Sequence, residues 1–303
     1  MHIDLALCLA GALVGLLVGL TGMGGGALMT PLLVLVFNVA PLAAISSDLV
    51  TSLVMKPVGA AVHLRRGTVQ LPLLKWLAIG AVPAGFLGAV LIGTLGRAGA
   101  VQSKLKLIIG IALLLSLAST VVRQLISRRS GTPAAELVVR PGRTVAIGVV
   151  GGLAVGLTSV GAGSLVIALL LLAYPGLRPG QLVGTDIVQA IPLVGAAAVG
   201  HLLFGDVHLA LTVSLLVGAL PAVYVGARLS AAAPAPVLRS VVAGVLTASA
   251  LALLKAPSDV LVPAALAAAA GMAWLSRPSG RENEIQERTA TPKQAVTVET
   301  VGR

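Results

Sequence analysis

The stretch GLTGMGGGALMTP, Gly19 to Pro31, sets a run of bare backbone between two apolar segments, and three chemistries would use it. The first is nucleotide binding. Gly22-Met23-Gly24-Gly25-Gly26-Ala27 fits the G-x-G-x-x-G/A fingerprint, and Asp48 follows about twenty residues on, where a ribose-binding acid belongs. The flanks lack βαβ alternation, however, and a related stretch, GLTSVGAGSLV at 156–166, breaks the fingerprint at Ser159. The second is anion binding at an interrupted helix, whose second half begins with unpaired N–H groups and the positive end of a helix dipole. Gly24, Gly25 and Gly26, with Gly161 and Gly163, would let an anion reach that backbone, and Thr21, Thr158, Ser159 and Ser164 would add hydroxyl donors. The third is packing alone, in which glycine lets two membrane helices cross closely.

Ionisable residues inside apolar segments are few: Asp48, Lys56 and Asp186, with Lys75 nearer an end. Charge at membrane depth costs at least ~2.5 kcal/mol on insertion scales, so such groups face a cavity or a partner. Ser47-Asp48 and Thr185-Asp186 each open an apolar stretch, so the two aspartates are expected either to cap helices or to carry a coupling proton. Lys56 lies two helical turns after Asp48, which suits attraction of an anion, a salt bridge to an aspartate of the other half, or snorkelling to the surface. His63 and His201 end matching segments and read as interfacial caps before proton relays. Four histidines and the single Cys8, without close ligand spacing, suggest no metal site, cofactor or internal disulfide, and no nucleophile and base pair marks an enzyme.

The elements that must position these residues are membrane helices. The 303 residues are 57% hydrophobic and 10% charged, too apolar for a soluble domain. The partner that composition demands is a lipid bilayer. The net charge of +11 is scattered through connections and tail, which speaks against a nucleic-acid partner. Apolar segments fall at roughly 3–20, 27–41, 42–64, 69–95, 103–122, 144–158, 164–174, 179–203, 207–230, 236–254 and 258–276. The fragments 27–41 and 164–174 follow the glycine clusters and read as half-helices, re-entrant pieces or continuations of broken helices.

Internal similarity organises the rest. Residues 19–29 align with 156–166 and 47–69 with 185–207; Gly80, Ala81, Pro83, Ala84, Gly88 and Ala89 then meet Gly218, Ala219, Pro221, Ala222, Gly226 and Ala227. This divides the chain into a first membrane repeat (1–122), a basic cytoplasmic linker (123–143), a second repeat (144–254), an extra transmembrane helix (255–276) and a disordered cytoplasmic tail (277–303). Lys and Arg collect on one side if every segment crosses, which puts the N-terminus outside, the C-terminus in the cytoplasm, and the repeats in inverted topology. The fold expected is an all-α polytopic membrane protein with two inverted repeats, the arrangement of secondary transporters.

The two glycine elements, the Asp-bearing helices and the His-ending segments resemble the TauE/SafE, or sulfite exporter, family over about residues 5–254. In the second copy Ser159, Ala162 and Ala168 stand where the first has Gly22, Gly25 and Pro31. The resemblance implies a permease of the inner membrane for a sulfur-containing or organic anion such as sulfite or a sulfonate. Joined to the paired acids, it implies alternating access with protons as a candidate coupling ion. A non-transporting scaffold or assembly factor, or an anion channel, is the alternative at this stage.

Overall fold

The structure, a computed structural model, describes residues 3–21, 25–65, 67–95, 99–129, 138–161, 163–177, 179–230 and 235–276. Those residues form α-helices and their connections: α1 (Leu5–Thr21), α2 (Gly26–Leu35), α3 (Pro41–Arg65), α4 (Leu71–Leu95), α5 (Gly99–Arg129), α6 (Pro141–Thr158), α7 (Leu165–Ala173), α8 (Pro179–Phe204), α9 (Leu209–Leu229), α10 (Ala235–Leu253) and α11 (Ser258–Leu275). Seven of the described helices, α4 to α6 and α8 to α11, are long and apolar enough to cross a membrane. The 25-residue α3 carries Asp48 and Lys56. By contrast, α2 and α7 have ten and nine residues, about 15 Å of helix, half of a ~30 Å hydrocarbon core.

Two boundaries differ from the sequence reading. The segment expected at 27–41 stops being helical after Leu35, and Pro41, which needs no N–H partner, opens α3. The basic stretch from Arg123 is not all connection: α5 continues to Arg129, because a helix need not stop where its apolar surface does. The tail at 277–303 lies outside the described residues.

Close backbone approach holds the bundle together. A Cβ on Gly11, Gly15 or Gly19 of α1 would strike the carbonyl of Leu215, Ala219 or Val223 on α9. On α6, Gly148, Gly152 and Gly156 meet the carbonyls of Leu77, Ala81 and Gly85 on α4 in the same way. Small residues at every fourth position let the backbones touch, and lipid offers no competing hydrophobic drive. Both series ascend together, so α1 runs parallel to α9, and α6 to α4.

Other contacts fix the remaining directions. Ser47 and Met55 of α3 meet His208 and Ala219 at the start and middle of α9, so these two are parallel. Gly85, Ala89 and Gly93 of α4 meet Leu193, Gly200 and Phe204 of α8, also parallel. Between α3 and α8 the order reverses, Ser46 against His201 and Leu53 against Gly195. Thus α1, α3 and α9 point one way, and α4, α6 and α8 the other. Because α2 runs against α3, with Thr30 beside Asp48 and Gly25 beside Ser52, the chain turns back after α1. The outermost helix, α11, packs on α10 with a half-buried face, and Met272 is its one fully buried residue.

Substituting valine at Gly15 or Gly152 should therefore lower thermal stability in detergent by about 1–3 kcal/mol or prevent folding, as overpacking does. Gly271→Ala, where nothing lies within 4 Å, should leave stability unchanged or raised by up to about 1 kcal/mol. Melting curves of the purified variants check both.

Candidate functional site

The chain interruptions after α1 and α6 meet each other. A Cβ on Gly26, the first residue of α2, would collide with the backbone of Ser159, which closes α6. Gly26 is thus required by packing. Gly25 is less constrained, since a Cβ there would come to 3.4 Å from Ser52 Oγ, an ordinary contact distance. Gly24 lies outside the described residues. In the second interruption Ser159 (φ 61°), Gly161 (φ 122°) and Gly163 (φ 96°) are all left-handed. Glycine adopts that backbone freely, whereas serine at Ser159 is strained and must be held by other contacts.

Asp48 is one such hold. Its Oδ2 accepts from Ser159 Oγ and from Thr30 Oγ1, each at 2.8 Å, and its Oδ1 accepts from Ser52 Oγ at 3.3 Å. The carboxyl is 1% exposed. It therefore ties α3, α2 and the end of α6 into one buried polar knot.

The structure corrects the capping role expected of the aspartates. Asp48 and Asp186 sit well inside α3 and α8, beyond reach of those helices' first N–H groups. The residues before them do a related job across the bundle: Ser47 Oγ accepts from His208 N at 3.3 Å, and Thr185 Oγ1 from Gln70 N at 2.9 Å. His208 and Gln70 immediately precede α9 and α4, so each hydroxyl steadies the start of a helix in the other half.

Three of the hydroxyls proposed as anion donors are committed elsewhere, and the fourth shares a bond in which either partner can donate. Thr21 donates to Leu17 O at 2.6 Å, Thr158 to Ala154 O at 2.7 Å, and Ser159 to Asp48, while Ser164 pairs with Ser116 at 2.7 Å. His201, in the last turn of α8, is fully buried in the protein. Its Nε2 must donate to the carbonyl of Gly156 at 2.9 Å, which leaves Nδ1 to accept from Ser46 Oγ at 2.8 Å. That fixes one neutral tautomer and satisfies a carbonyl in the last turn of α6. The side chain of His63 lies outside the described residues.

A second polar locus surrounds Asp186, also 1% exposed. The N–H of Gly163, at the entry to α7, is directed at its carboxyl group. Lys56 of α3 and Arg123 of α5 face it electrostatically. The direct ion pair among the described residues is His208–Asp206 at 3.3 Å, so Lys56 acts on Asp186 and Asp48 across a longer gap. Sequence reasoning missed two residues here. Arg123 was assigned to the linker, and Gln189, fully buried one turn after Asp186, is uncharged and carries no motif.

Ser159→Ala should destabilise the protein by about 1–3 kcal/mol, because it removes a donor from a buried carboxyl while keeping the left-handed strain. Ser159→Gly should cost less, since the strain goes with the hydroxyl. Thermal unfolding of the two variants side by side gives the order.

The family model described as Sulfite exporter TauE/SafE matches residues 7–253. The chain is 36% identical over 255 residues, 83% of its own length and 100% of the relative's, to the probable membrane transporter protein YjnA of Bacillus subtilis (strain 168). It is 26% identical over 231 residues, 76% of this chain and 91% of the relative, to the probable membrane transporter protein YdhB of the same organism. No solved structure matches it significantly.

Proposed function

The chain belongs to the sulfite exporter TauE/SafE family, and from that premise we propose a secondary permease that moves a small sulfur-containing or organic anion, such as sulfite or a sulfonate, by alternating access. The coarser reading, a multi-pass membrane transporter, rests on the family, the apolar helices and the relatives. The observation that carries the finer one is the meeting of the two chain interruptions, Gly26 against Ser159, at the junction of two halves. Irregular backbone at membrane depth is tolerated where it is buried in protein or lines a polar site, and transporter sites lie between repeats.

We read the two halves as inverted repeats. Support comes from register: Gly11, Gly15 and Gly19 on α9 correspond to Gly148, Gly152 and Gly156 on α4, and Ser47–His208 corresponds to Thr185–Gln70. Corresponding helices also run in opposite directions, as an inversion requires. Two such halves have two equivalent ways to tilt against each other, and that is the physical basis for opening to either side in turn. The side richer in Lys and Arg is assigned to the cytoplasm, which leaves the N-terminus outside in a cell inner membrane.

Proton coupling is proposed from Asp48 and Asp186, two acids buried at corresponding positions. Purified protein in liposomes should take up or release labelled sulfite or sulfoacetate with saturation, and an imposed pH gradient should change the rate. Asp48→Asn combined with Asp186→Asn should abolish that dependence. A flux linear in concentration would identify a channel, and no flux with any of these anions would return the protein to a scaffold role.

A further inference from the structure

We propose that the anion is held in the second half, on the face of α8 bearing Asp186 and Gln189, and that the glycine cluster of the first half frames this seat without binding the ligand. The proposal rests on the permease reading above and assigns its substrate site.

The first half has no polar capacity left to offer at its aspartate. Asp48 already accepts from three hydroxyls, and the protons of Thr30, Ser52 and Ser159 are spent on it. Thr51, which corresponds to Gln189, donates to Ser47 O at 2.8 Å. The second half is the opposite. Among the described residues, Oδ1 of Asp186 has no hydrogen-bond partner, and neither does Oε1 or Nε2 of Gln189, whose side chain is fully buried. A buried amide satisfied at neither end is costly, and natural interiors keep such groups for a purpose. Residues three apart share a helix face, so the unmet atoms of Asp186 and Gln189 point into one region.

The charges around that region select the ligand. Lys56 from α3 and Arg123 from α5 both face the single carboxylate of Asp186. Arg239 of α10 adds positive charge felt by Arg123, and Lys56 also acts on Asp48, whose carboxyl accepts from three hydroxyls. Three cations against two carboxylates leave a positive surplus that favours a small anion. The N–H of Gly163 and the positive end of α7, whose Ser164 makes no side-chain cap, point to the same place. A small oxyanion would accept from Gln189 Nε2 in the field of Lys56 and Arg123, the Gly163 N–H being already directed at Asp186. A hydroxyl on the anion, or a water entering with it, would donate to Gln189 Oε1 and Asp186 Oδ1.

The full-length protein in nanodiscs, titrated calorimetrically with sulfite, sulfoacetate and acetate, tests this with Gln189→Leu, Gln189→Met and Thr51→Val. If the seat is at Gln189, the Leu and Met variants melt at or above the wild-type temperature, because an unpartnered amide has gone. Their anion affinity falls about tenfold or more, the worth of a hydrogen bond to a charged group. Thr51→Val keeps wild-type affinity. Unchanged affinity in both Gln189 variants would overturn the seat while leaving the permease intact, and parallel loss of stability and affinity would overturn it by making the amide structural. Wild-type protein that neither binds nor transports any of the three anions would instead remove the permease reading itself.

Discussion

A carboxyl group at membrane depth must be satisfied by the protein, and Asp48 meets that demand by recruiting hydroxyls from three places in the chain. The arrangement constrains much else. Ser159 can reach Asp48 only if α6 ends in a left-handed residue, and it can sit there only if α2 begins with a residue lacking a Cβ. The two chain interruptions are therefore mutually dependent. Around them, Gly156 offers its carbonyl to His201, and His201 leans on Ser46, two residues before the same aspartate. The His201 group and the Asp48 knot thus both draw on α3 and the end of α6.

Outside this knot the bundle is held by repetition. The α1–α9 and α4–α6 seams use glycine at every fourth position against carbonyls of the partner, and neither seam needs a polar side chain. Such seams are rigid units. The polar groups lie between them, on α3 and α8, which cross antiparallel and carry Asp48, Lys56, Asp186 and Gln189. Each seam joins one helix of the first half to one of the second, so the units that can rock against each other are the α1–α9 pair and the α4–α6 pair, with the backbone bonds closed throughout.

Much of this was legible in the sequence. Glycine clusters located both interruptions, since few other residues allow a helix to stop inside an apolar run, and the eleven apolar segments correspond to α1 through α11. Capping, one of the two roles expected of the aspartates, fails: Ser47-Asp48 and Thr185-Asp186 before apolar runs look like helix starts in water. In a membrane protein the same residues sit mid-helix and face the core. The link from Asp48 to Ser159 could not be read at all, since periodicity says which face of a helix is polar but not which break it will meet. Gln189 escaped for a related reason: a neutral amide gives no charge signal, and its corresponding residue, Thr51, is of another type. Arg123 was lost where the apolar window ended although the helix continued to Arg129.

Whether the junction between the halves opens to one side at a time is measured by thiol accessibility. Gly25 is the position to use, because a side chain fits there at ordinary contact distance from Ser52 while Gly26 tolerates none. In a Cys8→Ser background, Gly25→Cys in sealed vesicles of each orientation would be labelled with an impermeant maleimide, with and without a saturating anion on one face. The account predicts labelling from both faces that is mutually exclusive and shifts toward one face when the anion is added. Simultaneous labelling from both faces, or labelling indifferent to every anion tried, would contradict alternating access at this junction.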